Sequence, residues 1–316
     1  VDGGAGEDLA ATSRAFGIFA RHPQATTLAG ALAIAFSGIL VRFAAVSPST
    51  AATFRAGYAL PFLAVVAVIE HRRLGRRSWR QRFWAYLAGL SFAVDLVLFH
   101  HGIELMGAGL ATVMGNVQVI FVGAIAWFLL GERPSRPLLA GVPIALFGVF
   151  LISGVVGSGA YGRDPQLGVL VGLGTAASYA GYLLLIRKGR DRSRVAGPIF
   201  DASLACAVGS IVLGVLWGDL NLVPSWPAHG WLVVLALSAQ FAGGLLIAVA
   251  LPRLPAVLTS LLLLTQPVLS VFLAMILVAE TPSTFQLVGV MLVLVGVAVG
   301  TVPFRQLLAR GRVTLG

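Results

Sequence analysis

Between residues 27 and 302 the chain is a succession of apolar stretches, each about twenty residues long, joined by short loops. A helix needs about 20 apolar residues to cross the hydrocarbon core of a bilayer. The pattern therefore predicts a polytopic membrane protein. Ten spans fit, at roughly 27–46, 50–70, 83–103, 107–130, 137–156, 167–187, 197–217, 230–251, 255–279 and 284–302. Ser47-Pro48-Ser49 and Pro252-Arg253-Leu254 read as tight turns, so helices adjacent in sequence are expected to pack antiparallel. Composition agrees, because only 11% of residues are charged, against roughly 25% in a soluble domain. Too few charges remain to cover a surface that faces water.

The basic residues give an orientation, since cytoplasmic loops carry an excess of Lys and Arg. With the N-terminus inside, 19 of the 22 Lys and Arg fall on the cytoplasmic side, in the tails and in loops such as 71–82 and 187–194. Only Arg163 falls outside, and Arg42 and Arg55 lie within spans. An odd number of spans would split these clusters across both faces. The loops hold topology and meet anionic headgroups. The net charge of +10 is thereby accounted for without nucleic acid as a partner. Asp2, Glu7 and Asp8 precede any basic residue, which is not the pattern of a signal peptide. Residues 1–26 and 303–316 are expected to be cytoplasmic tails, with Phe16, Ile18 and Phe19 forming a short interfacial helix. The single cysteine, Cys206, excludes an internal disulfide and reads as a small buried hydrophobe.

The chain also repeats itself. Glu132, Pro134 and Ser135 recur as Glu280, Pro282 and Ser283, an offset of 148 residues. The same offset pairs Gln118 with Gln266, Gly141 with Gly289, Gly148 with Gly296, Ala108 with Ala256 and Leu110 with Leu258. The two units, 27–156 and 167–302, hold five spans each. Five is odd, so the second unit must insert upside down relative to the first. Inverted repeats are the architecture of many secondary transporters, where exchange of the two half-conformations gives alternating access. The expected fold is thus an all-α integral membrane protein of ten transmembrane helices, arranged as two inverted five-helix repeats around a central cavity.

Several local features occur in order along the chain. Ser47-Pro48-Ser49-Thr50 leads into Phe54-Arg55. A run from Gly107 through Gln118 ends in Gly131-Glu132-Arg133-Pro134. Tyr179-Ala180-Gly181-Tyr182 precedes Arg187-Lys188, and Leu264-Thr265-Gln266-Pro267 precedes Glu280-Thr281-Pro282. In this order, with the duplication, residues 27–302 resemble the drug/metabolite transporter superfamily, in particular its EamA-like ten-helix carriers. The resemblance implies a basket of ten helices around a central cavity, in the cell (inner or plasma) membrane. It also implies export of amino acids, metabolites or drugs. The related four-helix multidrug exporters carry a carboxylate midway along the first helix. Here that region reads Ala35-Phe36-Ser37-Gly38, and their proton-coupling residue has no counterpart.

Polar residues deep in spans are the candidate site. Asp95 lies just past the middle of the third span, where a carboxylate costs about 2.5–3.5 kcal/mol. It is expected to meet a substrate amine, to exchange a proton, or to bond a neighbouring hydroxyl or Arg55. Arg55, two turns into the second span, can snorkel outward or grip a substrate carboxylate. Gln118 and Gln266, related by the repeat near the middle of their spans, suit a site that serves two open states. Asn116, Gln240, and the pair Tyr179 and Tyr182 on one face of the sixth span complete the substrate-binding set. Phe36, Tyr58 and Trp127 are candidates for a cavity wall. His100 and His101, with Glu104, mark the outer end of the third span, as an outer gate or an interfacial polar cap. Asp201 lies one turn into the seventh span and needs no function there. Pro143 and Pro267 are expected to bend their helices. No cofactor or metal is expected.

Other functional classes fit less well. An intramembrane enzyme needs a nucleophile with a base, or clustered metal ligands, at depth. The five histidines are at span ends or in loops. No filter-like loop or charged ring marks a channel. The expected partners are a small-molecule substrate, the lipid bilayer and protons as coupling ion, with the chain acting as a monomer.

Overall fold

Inside a bilayer every backbone N–H and C=O must find its partner within the protein, and a helix satisfies them within one segment. The protein, a computed structural model, accordingly consists of helices. It describes residues 17, 19–106, 111, 114–131, 133–152, 163–189, 194–277 and 283–301. The expected tails, the interfacial helix at Phe16 and Ile18, and Ala108, Leu110, Glu132 and Glu280 of the repeat lie outside or largely outside these residues.

The helices in chain order are α1 (Pro23–Ala35), α2 (Ser37–Ala44), α3 (Pro48–Leu74), α4 (Trp79–Met106), α5 (Gln118–Leu130), α6 (Arg136–Ile152) and α7 (Pro165–Lys188). They continue as α8 (Ala196–Trp217), α9 (Trp226–Leu235), a π-helical segment (Ala236–Gly243), α10 (Gly244–Ala250), α11 (Ala256–Leu263), α12 (Thr265–Leu277) and α13 (Thr284–Thr301). Seven continuous or nearly continuous segments are long and apolar enough to cross a membrane, and three shorter apolar helices, at 114–129, 136–151 and 287–300, accompany them. Large apolar side chains point outward around the bundle, Phe128 with 80% and Leu216 with 78% of its surface exposed. Patches of that kind on a chain this apolar face hydrocarbon.

Local sequence explains where helices start and stop. Pro23, Pro48 and Pro165 occupy first turns, where the missing N–H is no loss. Asp164 caps α7 by accepting from the Leu167 N–H at 3.1 Å. Ser135 caps α6 through the Leu138 N–H at 3.4 Å. The left-handed Gly218 (φ 78°) ends α8 and turns the chain into the loop that carries Asp219.

Three spans are broken. The α1–α2 break at Phe36 leaves the Ala35 carbonyl to the Ser270 hydroxyl of α12, at 3.1 Å. Val117 separates Asn116 from α5, and its N–H bonds back only three residues, to Met114 O at 3.2 Å. Leu264 separates α11 from α12 in the same manner, bonding Leu261 O at 3.0 Å. Pro267 accounts for the last break, since it cannot donate to the turn before it. Pro143 lies within an unbroken α6, so the bend expected there is not accompanied by a break.

Packing is by close approach, since lipid provides no hydrophobic drive between helices. α3 packs on α8, α4 on both α7 and α8, and α6 on α13. α1 packs on the π segment and on α10, α11 and α12, α2 on α9, and α5 on α7 and α11. The tightest approach joins α4 to α8. A Cβ built on Gly89 would lie 2.1 Å from the Ala202 carbonyl oxygen, so no other residue fits there. Beyond it along the same seam, the Ala93 side chain packs on Gly209. This seam brings Asp95 of α4 within electrostatic range of Cys206 of α8.

Candidate functional site

The expected polar residues divide among three places. Arg55 and Asp95 meet in the interior. Arg55 is 6% exposed and does not snorkel outward, which overturns that expectation: α8 and α4 cover the face of α3 that carries it. Its guanidinium lies over the Phe92 ring, 5.6 Å from the centroid. Asp95, Tyr179, Tyr182 and Cys206 surround it closely enough to interact electrostatically. Cation–π attraction and a facing carboxylate together keep a buried guanidinium tolerable.

The two charges are nevertheless not tied. Among the described residues, Asp95 makes no ion pair within 4.0 Å and no hydrogen bond, and Arg55 Nε has no partner. Asp95 is 6% exposed all the same. A buried charge without a bonded partner is costly, so the arrangement holds unused binding capacity. The wall beside it is aromatic. Phe92 stacks on Tyr182, with centroids 4.4 Å apart and an interplanar angle of 19°. Tyr179 joins Phe92 at 6.2 Å and Tyr182 at 5.9 Å. Tyr179 and Tyr182 thus line one face, as their spacing on one helix requires.

The amides lie around this core. Gln240 is buried in the π segment and donates from Nε2 to Ser203 Oγ of α8 at 2.8 Å, leaving its Oε1 without a partner. A π-turn frees backbone geometry and recurs at functional sites. Gln118, 3% exposed, opens α5 at the break, with Oε1 unpartnered. Gln266 is half-buried just after the corresponding break. No hydrogen bond joins the two amides among the described residues. Asn116 is half-buried and engaged with a neighbour. Trp127 is not a cavity wall: it is 52% exposed on the outer face of α5 and stacks on Phe128.

The third place is the end of the bundle where α3 begins and α4 ends. His100 and His101 are buried, at 7% and 6% exposure. His101 Nδ1 pairs with the Val97 carbonyl at 2.8 Å and its Nε2 faces Asp219 Oδ2 at 3.5 Å. Its ring stacks on Trp217 at 4.2 Å. Asp219 Oδ2 also accepts the Ser49 N–H at 3.1 Å, and the Asp219 carbonyl accepts the Ser47 hydroxyl. Asn221 N–H donates to Thr50 Oγ1 at 2.8 Å, and Tyr58 bonds His229 at 2.5 Å. The loop after α8 is therefore laced onto the start of α3. Nothing in the sequence singled out Asp219, Asn221 or His229 for this role, because their bonds to α3 and the residue before it span about 170 residues.

The opposite end is closed by charge. The Glu70 carboxylate accepts the N–H groups of Val195, Ala196 and Gly197, at 2.6, 2.8 and 3.0 Å. Asp201, expected to need no function, is 1% exposed and binds Arg77 at 2.5 Å and Arg82 at 3.3 Å. It anchors the loop between α3 and α4 to α8.

Known proteins resemble this chain along most of its length. The family model of the "EamA-like transporter family" matches twice, over residues 24–154 and 166–301. An uncharacterized transporter of Archaeoglobus fulgidus is 29% identical over 275 residues, covering 84% of this chain and 92% of its own. The uncharacterized transporter YwfM of Bacillus subtilis is 26% identical over 239 residues, covering 74% and 78%. A solved crystal structure superposes with a TM-score of 0.73 over 90% of this chain and 98% of that one, at 20% identity, and so shares the fold. With both halves matched, membrane-spanning helices throughout and transporters as relatives, the chain belongs to the EamA-like transporter family and is a multi-pass membrane transporter.

Proposed function

We propose that the chain is a secondary transporter that exports small organic solutes, amino acids and related metabolites above all, by alternating access. The observation that carries this is the interior pair Arg55 and Asp95, opposed but untied, beside an aromatic wall. A guanidinium grips a carboxylate, an aspartate receives an amine, and rings accept an apolar side chain. An amino acid presents all three groups at once. Gln240, Gln118 and Gln266 supply orienting amides, the last two at helix breaks, where freed backbone groups commonly meet solute or ion.

The transport cycle uses the two halves as inverted repeats of five spans. The double match to the family model supports this. So do the helix contacts, which map onto themselves when the halves are exchanged: α4 on α7 corresponds to α9 and α10 on α2 and α1, and α5 on α7 corresponds to α12 on α1. Asp219 and His101, with His100 behind them, form the gate at one side. Glu70, Asp201, Arg77 and Arg82 form its counterpart at the other. The arginine bias supports cytoplasmic tails in the cell membrane. The site is assembled within one chain, which supports a monomer. Asp95 is the group through which an exchanging proton would pass.

The test is efflux from proteoliposomes loaded with mixed amino acids and metabolites, the exterior read by mass spectrometry with and without a pH gradient. The expected result is saturable loss of one solute class, accelerated by the gradient in wild type and indifferent to it in Asp95→Asn. Loss of no solute from folded protein would reject the reading.

A further inference from the structure

The arginine-rich gate end of the bundle also holds a cavity beside its ion pairs. It is open, about 220 Å³ in volume, and lies between the last turns of α3, the first turn of α4 and the start of α8. Its polar side carries Arg77, Arg82 and Arg194 against two carboxylates, Glu70 and Asp201. Both carboxylates are already engaged, Glu70 by three backbone N–H groups and Asp201 by Arg77 and Arg82. Three guanidiniums against two carboxylates leave one positive charge in excess. Arg77 also keeps a buried Nη1 with no partner, which is a donor in want of an acceptor.

The other side of the cavity is apolar. Ala64, Ala67, Val68 and Phe200 line it. Val65 and Val68 on the same stretch of α3 are 62% and 49% exposed, so this wall runs out onto the hydrocarbon-facing surface. A soluble anion has no use for such a wall. A molecule with a phosphate at one end and methylenes at the other uses both sides.

We propose that this cavity binds the phosphate headgroup of an anionic phospholipid drawn from the adjoining leaflet. Arg77 and Arg82 hold the phosphate, and Ala67, Val68 and Phe200 hold the first acyl methylenes. The lipid bridges α3, α4 and α8, the helices that carry Arg55, Asp95 and Cys206. It thereby braces the gate end at which Asp201 is anchored. The inference rests on the membrane-spanning fold and is independent of which solute is carried.

The test is native mass spectrometry of the detergent-purified chain, titrated with phosphatidylglycerol or with phosphatidylcholine. Wild type should retain one phosphatidylglycerol and no phosphatidylcholine. Arg82→Gln should weaken retention about fivefold, the worth of one arginine at an anionic surface. Ala67→Phe, which fills the apolar side without touching an ion pair, should abolish it. Thermal shift with inorganic phosphate separates the two sources of the anion. A shift matching that of the lipid and blind to Ala67→Phe would assign the cavity to a soluble anion and overturn the proposal. Equal retention of both lipids, or undiminished retention by both variants, would also overturn it.

Discussion

Arg55→Leu should abolish solute flux and destabilise the fold by about 1–3 kcal/mol, since it strips the buried Asp95 of the positive charge that faces it. The orphaned charge is Asp95, 6% exposed and without any hydrogen bond among the described residues. The leucine also forfeits the contact of the guanidinium with the Phe92 ring. The double variant Arg55→Leu/Asp95→Leu removes both charges and should regain most of the lost stability, because an apolar pair tolerates burial that a single charge does not. It should still carry no solute. Arg55→Lys keeps the charge but not the planar fork, so it should fold nearly as wild type while its flux falls at least about tenfold. Thermal denaturation and efflux, measured on the same preparations, separate the two losses. Normal efflux by the double leucine variant would remove Arg55 and Asp95 from the transport site.

The second large effect is expected at Asp219. One carboxylate oxygen receives the Ser49 N–H at 3.1 Å and faces His101 Nε2 at 3.5 Å. A hydrogen bond to a carboxylate, such as the one from Ser49, is worth about 1.5–3 kcal/mol. Asp219→Ala deletes both contacts from the laced conformation, while an opened conformation loses nothing. The population of the open form should therefore rise roughly tenfold or more. Cys206, 0% exposed beside Arg55 and the only cysteine in the chain, reports this directly. Its alkylation by a membrane-impermeant thiol reagent applied from the Asp219 side should accelerate by that factor in Asp219→Ala. Asn221→Ala, which keeps its backbone bond to Thr50 Oγ1, should change little. An unaltered labelling rate in Asp219→Ala would mean that these contacts do not hold the gate.

That the chain is a multi-pass membrane protein was legible in the sequence, because twenty-residue apolar runs have one stable solution in a bilayer. The interior position of Asp95 followed from its depth, and that of Tyr179 and Tyr182 from their spacing. Arg55 was ambiguous, since a long side chain two turns from a helix end reaches water or protein equally well. Only the packing of α3 against α8 and α4 decides which. The break at Leu264 was announced by Pro267, whereas that at Val117 has no proline, and the repeat alone connects them. The π segment around Gln240 carries no local signal at all. The role of Asp201, expected to have none, and that of Asp219 were hidden for the same reason. Each residue lies near a span end, where an aspartate is ordinary, and acquires a role only from partners more than a hundred residues away.

The central claim is that solute occupies the space between Arg55, Asp95 and the aromatic wall, and Cys206 tests it most directly. Its alkylation would be followed in proteoliposomes from either side, with and without the solute found to be exported. Saturating solute is predicted to slow labelling from both sides in wild type and to have no effect in Arg55→Leu/Asp95→Leu. A transported solute that leaves the Cys206 labelling rate unchanged in wild type would place the binding site elsewhere and contradict the account.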